Sequence, residues 1–242
     1  MTYLYSKKDK LLLFFTPKAA CSFGAKWFFY QVGLYDESVN FDSWVHNYRI
    51  KIYDKKYQSN IDKSIYDSNI IFLVRNPIYR TVSSYIHGLK HGIEKDKISK
   101  FLNRNLDNEK YSFNEFVQYL KTINLKTCNP HYKIQSNIYF NDKKIIKKNI
   151  IKSENIIENF KQLEVSLGLK ESPLETISDS LSFHRIKTTD ESSENCFDKR
   201  YSIEELNEKI PGYKYFYNDK LLNDVYTLFK SDFENCYYKP EI

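Results

Sequence analysis

The sequence predicts an α/β fold, a parallel β-sheet flanked by helices, carried by a single domain over residues 1–242. Three observations predict it. Leu11-Leu12-Leu13-Phe14-Phe15-Thr16 and Ile70-Ile71-Phe72-Leu73-Val74 are short runs without polar alternation, as in strands buried on both faces. Each run is followed at once by a turn and then by apolar residues at helical spacing. Neither a repeat nor a low-complexity linker divides the chain, so the alternating strands and helices imply parallel crossovers within one sheet.

After the first strand, Ser22 is placed to cap a helix carrying Phe23, Trp27, Tyr30 and Leu34, with Gly33 near its end. After the second, Pro77 sits where a first helical turn tolerates proline. Ser112 and Glu115 form a capping-box pattern ahead of Phe113, Phe116, Val117 and Leu120. Ile145 to Lys152 reads as a further strand, leading into a helix with Ile156, Ile157, Phe160, Leu163 and Leu167 that stops near Gly168. Ser202 and Glu205 open another helix, broken at Pro211-Gly212. Leu221, Leu222, Val225, Leu228 and Phe229 mark the last one.

Composition narrows the chemistry. The chain has 37 Lys and Arg against 31 Asp and Glu, a net charge of +6, and 21 Tyr with 17 Phe exclude a disordered chain. Its 6 glycines are spaced so that neither G-x-G-x-x-G nor G-x-x-x-x-G-K-[ST] occurs, so a nucleotide would have to be held without either glycine loop. Cys21, Cys128, Cys196 and Cys236 lie far apart, with no zinc spacing, so no metal is expected. No apolar run is long enough to span a membrane and no signal peptide precedes the first motif, which points to reduced thiols in a bacterial or viral cytoplasm. The basic cluster Lys143, Lys144, Lys147, Lys148 and Lys152 reads as a solvated face, with nucleic-acid or polyanion binding as the alternative.

In open α/β sheets ligands gather beyond the carboxyl ends of the strands. Pro17-Lys18-Ala19-Ala20-Cys21-Ser22 follows the first strand and offers a cation, two small side chains and a hydroxyl at a helix start, where unpaired N–H groups attract anions. Arg75 leaves the second strand directly, and its fork suits bidentate phosphate binding. Arg80, Ser83, Ser84 and His87 then share one helix face, so that Arg75 and Ser83 can reach one phosphate.

Together these segments resemble the sulfotransferases that use 3′-phosphoadenosine 5′-phosphosulfate. Pro17-Lys18-Ala19-Ala20-Cys21-Ser22 is similar to the family's 5′-phosphosulfate loop, Pro-Lys-x-x-Cys-Thr/Ser. Arg75-Asn76-Pro77-Ile78-Tyr79-Arg80-Thr81-Val82-Ser83-Ser84-Tyr85 is similar to its 3′-phosphate motif, R-[DN]-P-x-x-R-x-x-S-x-Y. Looser similarity to Golgi-type carbohydrate sulfotransferases covers Ile150–Asn155, Asn129–Ser136 with Ile134 for a proline, His184–Thr188 with Ile186 for an asparagine, and Tyr226–Tyr237. The resemblance implies a P-loop-NTPase-like sheet and metal-independent sulfuryl transfer to a hydroxyl or amine, and it favours a carbohydrate acceptor, with a steroid, a phenol or a peptide tyrosine left open by the sequence. It also implies that the loop and Ser22 hold the 5′-phosphosulfate, that Arg75 and Ser83 hold the 3′-phosphate, and that Lys18 stabilises the leaving oxygen.

The base stays open at this level. His46 lies between the two motifs, where related carbohydrate sulfotransferases carry a histidine, and His131 is the second candidate. Glu37 or Asp42 could also serve. Two other functions compete: a nucleotide kinase of the same architecture, and a non-catalytic basic module that binds polyanions.

Overall fold

The two apolar runs become the middle strands of one sheet. The computed structural model describes residues 2–107, 110–181, 188–189, 196–208 and 210–242. Its main elements are β1 (Thr2–Ser6), β2 (Leu11–Phe15), α1 (Cys21–Gln31), β3 (Asn69–Val74), α2 (Pro77–His91), α3 (Phe113–Leu120), β4 (Lys148–Lys152), α4 (Ile156–Leu167), α5 (Asp219–Leu228) and α6 (Lys230–Asn235). The chain divides into two compact units, Met1–Arg75 with Asn137–Arg185, and Asn76–Ser136 with Ile186–Ile242.

The first unit holds a four-stranded sheet in the order β1-β2-β3-β4. β2 pairs with β3 and β3 with β4 in parallel, as expected, but β1 is an antiparallel edge strand that makes the sheet mixed. A tight hairpin through Lys7 to Lys10 joins it to β2, and its polar ends hid it among turn residues. β4 is shorter than its apolar run: pairing begins at Lys148, and Ile146 is left 88 % exposed just before the strand.

Because strand side chains alternate faces, Leu11, Leu13, Phe15, Ile71 and Leu73 point one way. They pack with Phe23, Trp27 and Phe28 of α1 and with Phe160 and Leu163 of α4. On the opposite face Phe14 stacks on Phe72 and on Tyr139, and Phe72 meets Phe140. Gly24 sets how closely α1 approaches. A Cβ there would lie 2.6 Å from Leu73 Cδ2 and 3.3 Å from Leu13 Cδ2, so the first turns of α1 press against β2 and β3. Further along α1, the buried Glu164 carboxylate accepts the Trp27 indole N–H at 2.8 Å and is also bound by Gln31 and Ser172.

The second unit is helical around a core that includes Tyr85, Phe113, Phe116, Phe216 and Phe229. α2 starts at Pro77, with the Asn76 side chain accepting the Ile78 N–H at 2.9 Å, and ends at Gly92, whose φ of 62° no β-carbon tolerates well. The capping box of Ser112 and Glu115 forms at the start of α3, and that of Ser202 and Glu205 precedes the helix Ile203–Glu208. Thr188–Thr189 pairs with Ile210–Pro211 in a minor parallel ladder. The last apolar segment is two helices rather than one, since Phe229 leaves the helical backbone between α5 and α6. The break turns Asp232 inward, where it is fully buried and accepts the Gln135 and Ser136 backbone N–H groups and the Ser136 hydroxyl. Burial pushes this carboxyl above the usual range, opposed by the Arg80 guanidinium and those donors.

Two stability measurements check this packing. Gly24→Ala forces a methyl into the Leu73 and Leu13 side chains, and we expect a loss of about 1–3 kcal/mol in urea unfolding. Glu115 is pushed up by burial, yet Arg200 and Arg104, at 2.7 and 3.1 Å, hold its pKa at about 2 against 4.5 ordinarily. Its stabilising contribution is therefore complete above pH ~4.5 and is lost as pH falls toward 2. Glu115→Gln should flatten that acid limb and leave the neutral-to-alkaline limb parallel to wild type.

Candidate active site

The loop after β2 is built without glycine. Lys18 and Ala20 both take left-handed backbone conformations, φ 68° and 55°, which cost a residue with a β-carbon roughly 1–2 kcal/mol each. Three features compensate. The Ala19 N–H bonds to the Thr16 carbonyl at 3.3 Å, Ala19 is fully buried, and Arg75 Nη1 donates to the Lys18 carbonyl at 3.1 Å. Arg75 follows β3 directly, so the parallel pairing of β2 and β3 brings it to this loop.

Ser22 does not cap the helix. The N-cap is Ala20, which makes no side-chain cap bond, and α1 begins at Cys21 with no acidic residue in its first turn. The left-handed turn starts the helix two residues earlier than the sequence pattern suggested, so the Ser22 hydroxyl lies within the first turn. There its Oγ sits 3.2 Å from His46 Nε2. The start of α1 thus keeps the positive end of its dipole uncompensated by side chains, beside Lys18 and Arg75. Cys21 is no thiolate: burial raises its pKa despite the neighbouring Lys18 charge.

His46 belongs to the short helix Val45–Tyr48 and is 8 % exposed. Its ring lies between Phe15, with centroids 6.2 Å apart, and Trp44, 5.5 Å away and nearly perpendicular. Asp42 fixes the approach to that helix, accepting the Trp44 N–H at 2.8 Å and the Asn47 amide at 2.7 Å. Those two bonds hold the Asp42 carboxyl below its usual pKa, which makes it an anchor and a poor base. Glu37 accepts the Tyr57 hydroxyl at 3.4 Å.

In the second unit Ser83 is buried on α2. Arg80, expected on the same face, is also buried: it donates to the His131 carbonyl at 3.5 Å, and the Ser84 hydroxyl does so at 2.8 Å. His131 Nδ1 and its backbone N–H each lie 3.0 Å from Asn129 Oδ1. An amide oxygen only accepts, so Nδ1 carries the hydrogen and Nε2 is the basic nitrogen. His87 packs between His91 and His131, at 4.3 and 4.7 Å.

The structure therefore brings Pro17 to Ser22, His46 and Arg75 together in the first unit, and groups Arg80, Ser84, His87 and His131 in the second. Residues 184–187 of the His184–Thr188 stretch lie outside the described residues. Lys143, Lys144, Lys147 and Lys148 are exposed. Sequence reasoning missed Asp232, whose partners lie 96 and 97 residues away with no local signal. It weighed Asp42 only as a base, although an aspartate two residues before Trp44 is an Asx-turn signature.

A sequence model described as "Sulfotransferase family" matches residues 1–239, and the chain belongs to that family. No curated protein matches the chain, and no solved structure does. Among the described residues no group of three or more His, Cys, Asp or Glu is arranged to hold a metal, and no helix is long and apolar enough to cross a membrane.

The loop geometry has a direct test. Ala20→Gly removes a β-carbon from a left-handed position and should hold or raise stability by up to about 1 kcal/mol, whereas Ala20→Val should lower it by about 1–3 kcal/mol in thermal unfolding.

Proposed function

We propose that the chain is a single-domain, metal-independent sulfotransferase over residues 1–242 that moves a sulfuryl group from 3′-phosphoadenosine 5′-phosphosulfate to a hydroxyl of a carbohydrate or glycan. The observation that carries the reading is the joining of Lys18, the α1 start and Arg75 in one loop, with His46 bonded to its Ser22. The family match over residues 1–239 supports the reaction class, and the motif resemblance supports the donor and the acceptor.

The residues present fit such a donor. The left-handed Lys18 to Ala20 turn, a helix start without side-chain cap or acid, and the cations of Lys18 and Arg75 together suit a phosphorylated anion. Among the described residues Thr16 Oγ1, buried at the exit of β2, also lacks a hydrogen-bond partner. Pro17 to Ser22 would hold the 5′ end and Arg75 the 3′-phosphate, a role Ser83 shares on the strength of the motif. When bound, the donor supplies the sulfuryl group and the charge that develops on its bridging oxygen.

Lys18 places its ammonium beside that charge, which is where electrostatic stabilisation acts. His46 takes the acceptor's proton at Nε2, where the acceptor's hydroxyl would replace the Ser22 hydroxyl. Until then Ser22 orients the imidazole by its 3.2 Å contact, and Phe15 and Trp44 fix the ring plane. His131, with its Nε2 set as the basic nitrogen, is the alternative base.

Three measurements test the reading. 3′-phosphoadenosine 5′-phosphate should raise the wild-type melting temperature, and Mg-ATP should not. Lys18→Ala should lower kcat by about 10²–10³-fold with the nucleotide shift retained, and Arg75→Ala should weaken the shift more than tenfold in ligand concentration. His46→Ala should lose at least about a hundredfold in kcat under saturating donor; full activity in that variant and loss in His131→Ala would transfer the role of base to His131.

A further inference from the structure

Trp44 meets the proposed base along one edge, and its exposed face and indole N–H take no part in the mechanism above. The chain has 2 Trp, and they are treated oppositely. Trp27 is fully buried and spends its indole N–H on Glu164. Trp44 is 46 % exposed, and among the described residues its indole N–H donates to no protein acceptor. Its backbone is nonetheless pinned by Asp42 at 2.8 Å, and one edge of the indole rests on the His46 ring at 5.5 Å and 75°. Phe41, three residues earlier, is 43 % exposed and Ile50 is 47 % exposed. An anchored aromatic face that stays in water beside a histidine is a surface with unspent apolar area and a free polar edge.

We infer that Trp44 is the specificity-determining residue for the acceptor, a platform on which a pyranose ring stacks while one of its hydroxyls reaches His46. The inference rests on the reading of His46 as base. The occupant follows from the chemistry around the indole. A group bound there must present an apolar face to the ring and a hydroxyl within a few ångströms of that face, which a pyranoside does with its C–H surface and its equatorial hydroxyls. Its remaining hydroxyls stay solvated, as a half-exposed site allows and as a buried apolar acceptor would not require. The indole N–H supplies one donor to a ring or hydroxyl oxygen.

The two tryptophans make the test direct, because acrylamide reaches Trp44 and not Trp27. Quenching is measured on the full chain with 3′-phosphoadenosine 5′-phosphate present, while titrating cellotetraose, chitotetraose, oligogalacturonate and 4-nitrophenol. At least one oligosaccharide should cut the quenching constant severalfold, and the response should vanish in Trp44→Phe, where Trp27 alone remains. With that oligosaccharide as acceptor, Trp44→Ala should raise KM at least tenfold, with a smaller change in kcat and an unaltered nucleotide-induced melting shift. Trp44→Tyr should recover most of the lost affinity, since it restores a stacking face. Unchanged quenching with every saccharide, protection by 4-nitrophenol alone, or a wild-type KM in Trp44→Ala would each overturn the proposal. Saccharide protection without any nucleotide shift would instead uphold the platform and refute the donor reading.

Discussion

The close contact between the start of α1 and the ends of β2 and β3 is the constraint on which the site depends. Gly24 admits it, since any side chain there would strike Leu73 and Leu13. Once α1 lies that near the sheet, only a sharp reversal can join Phe15 to Cys21, and the left-handed residues Lys18 and Ala20 provide it. The same closeness lets Arg75, leaving the neighbouring parallel strand, reach the Lys18 carbonyl and lock the turn. Strand order, glycine placement and loop conformation are therefore one arrangement, and the anion-favouring end of α1 is its product.

Electrostatics in this region are organised by absence as much as by presence. The first turn of α1 carries neither a side-chain cap nor an acid, the usual devices for neutralising a helix start. Asp42, the carboxylate close to His46 in sequence, is bound to Trp44 and Asn47 and held below its ordinary pKa, so it braces the histidine's segment without competing for protons. Cys21 keeps its proton because burial outweighs the pull of Lys18. The result is a cationic loop with one imidazole at its edge, which suits charge development on a leaving oxygen far better than it suits thiol or carboxylate chemistry.

What was legible in the sequence follows the range of the interactions involved. Buried parallel strands announce themselves as unbroken apolar runs, and Leu11–Phe15 and Asn69–Val74 fell where such runs stand. Caps written within four residues, at Ser112 with Glu115 and at Ser202 with Glu205, were equally plain, as was the helix start marked by Pro77. Edge strand β1 escaped because five residues of mixed polarity gain their strand character only by pairing with β2. The Ser22 cap was misplaced because serine's preference for helix starts does not say which residue of the first turn it occupies, and here the Ala20 backbone decided. Arg80 read as one more motif arginine, whereas its burial and its bond to the His131 carbonyl give it a supporting part in the second unit. Asp232 was invisible, since a buried carboxylate satisfied from nearly a hundred residues away leaves no local pattern.

The scarcity of glycine acquires a physical meaning from the loop. A glycine at Lys18 or Ala20 would adopt the same backbone at no steric cost but would lose more freedom on folding. Alanine instead carries strain that Arg75 and the packing of Ala19 must offset. That makes the loop's shape conditional on Arg75, the residue also proposed above for the 3′-phosphate. A guanidinium has five N–H donors in one plane, so one can hold the Lys18 carbonyl while others engage a ligand. Under that proposal, ligand binding at one end and loop conformation at the other are joined through a single side chain, and a glycine-rich loop, stable by itself, would break that link.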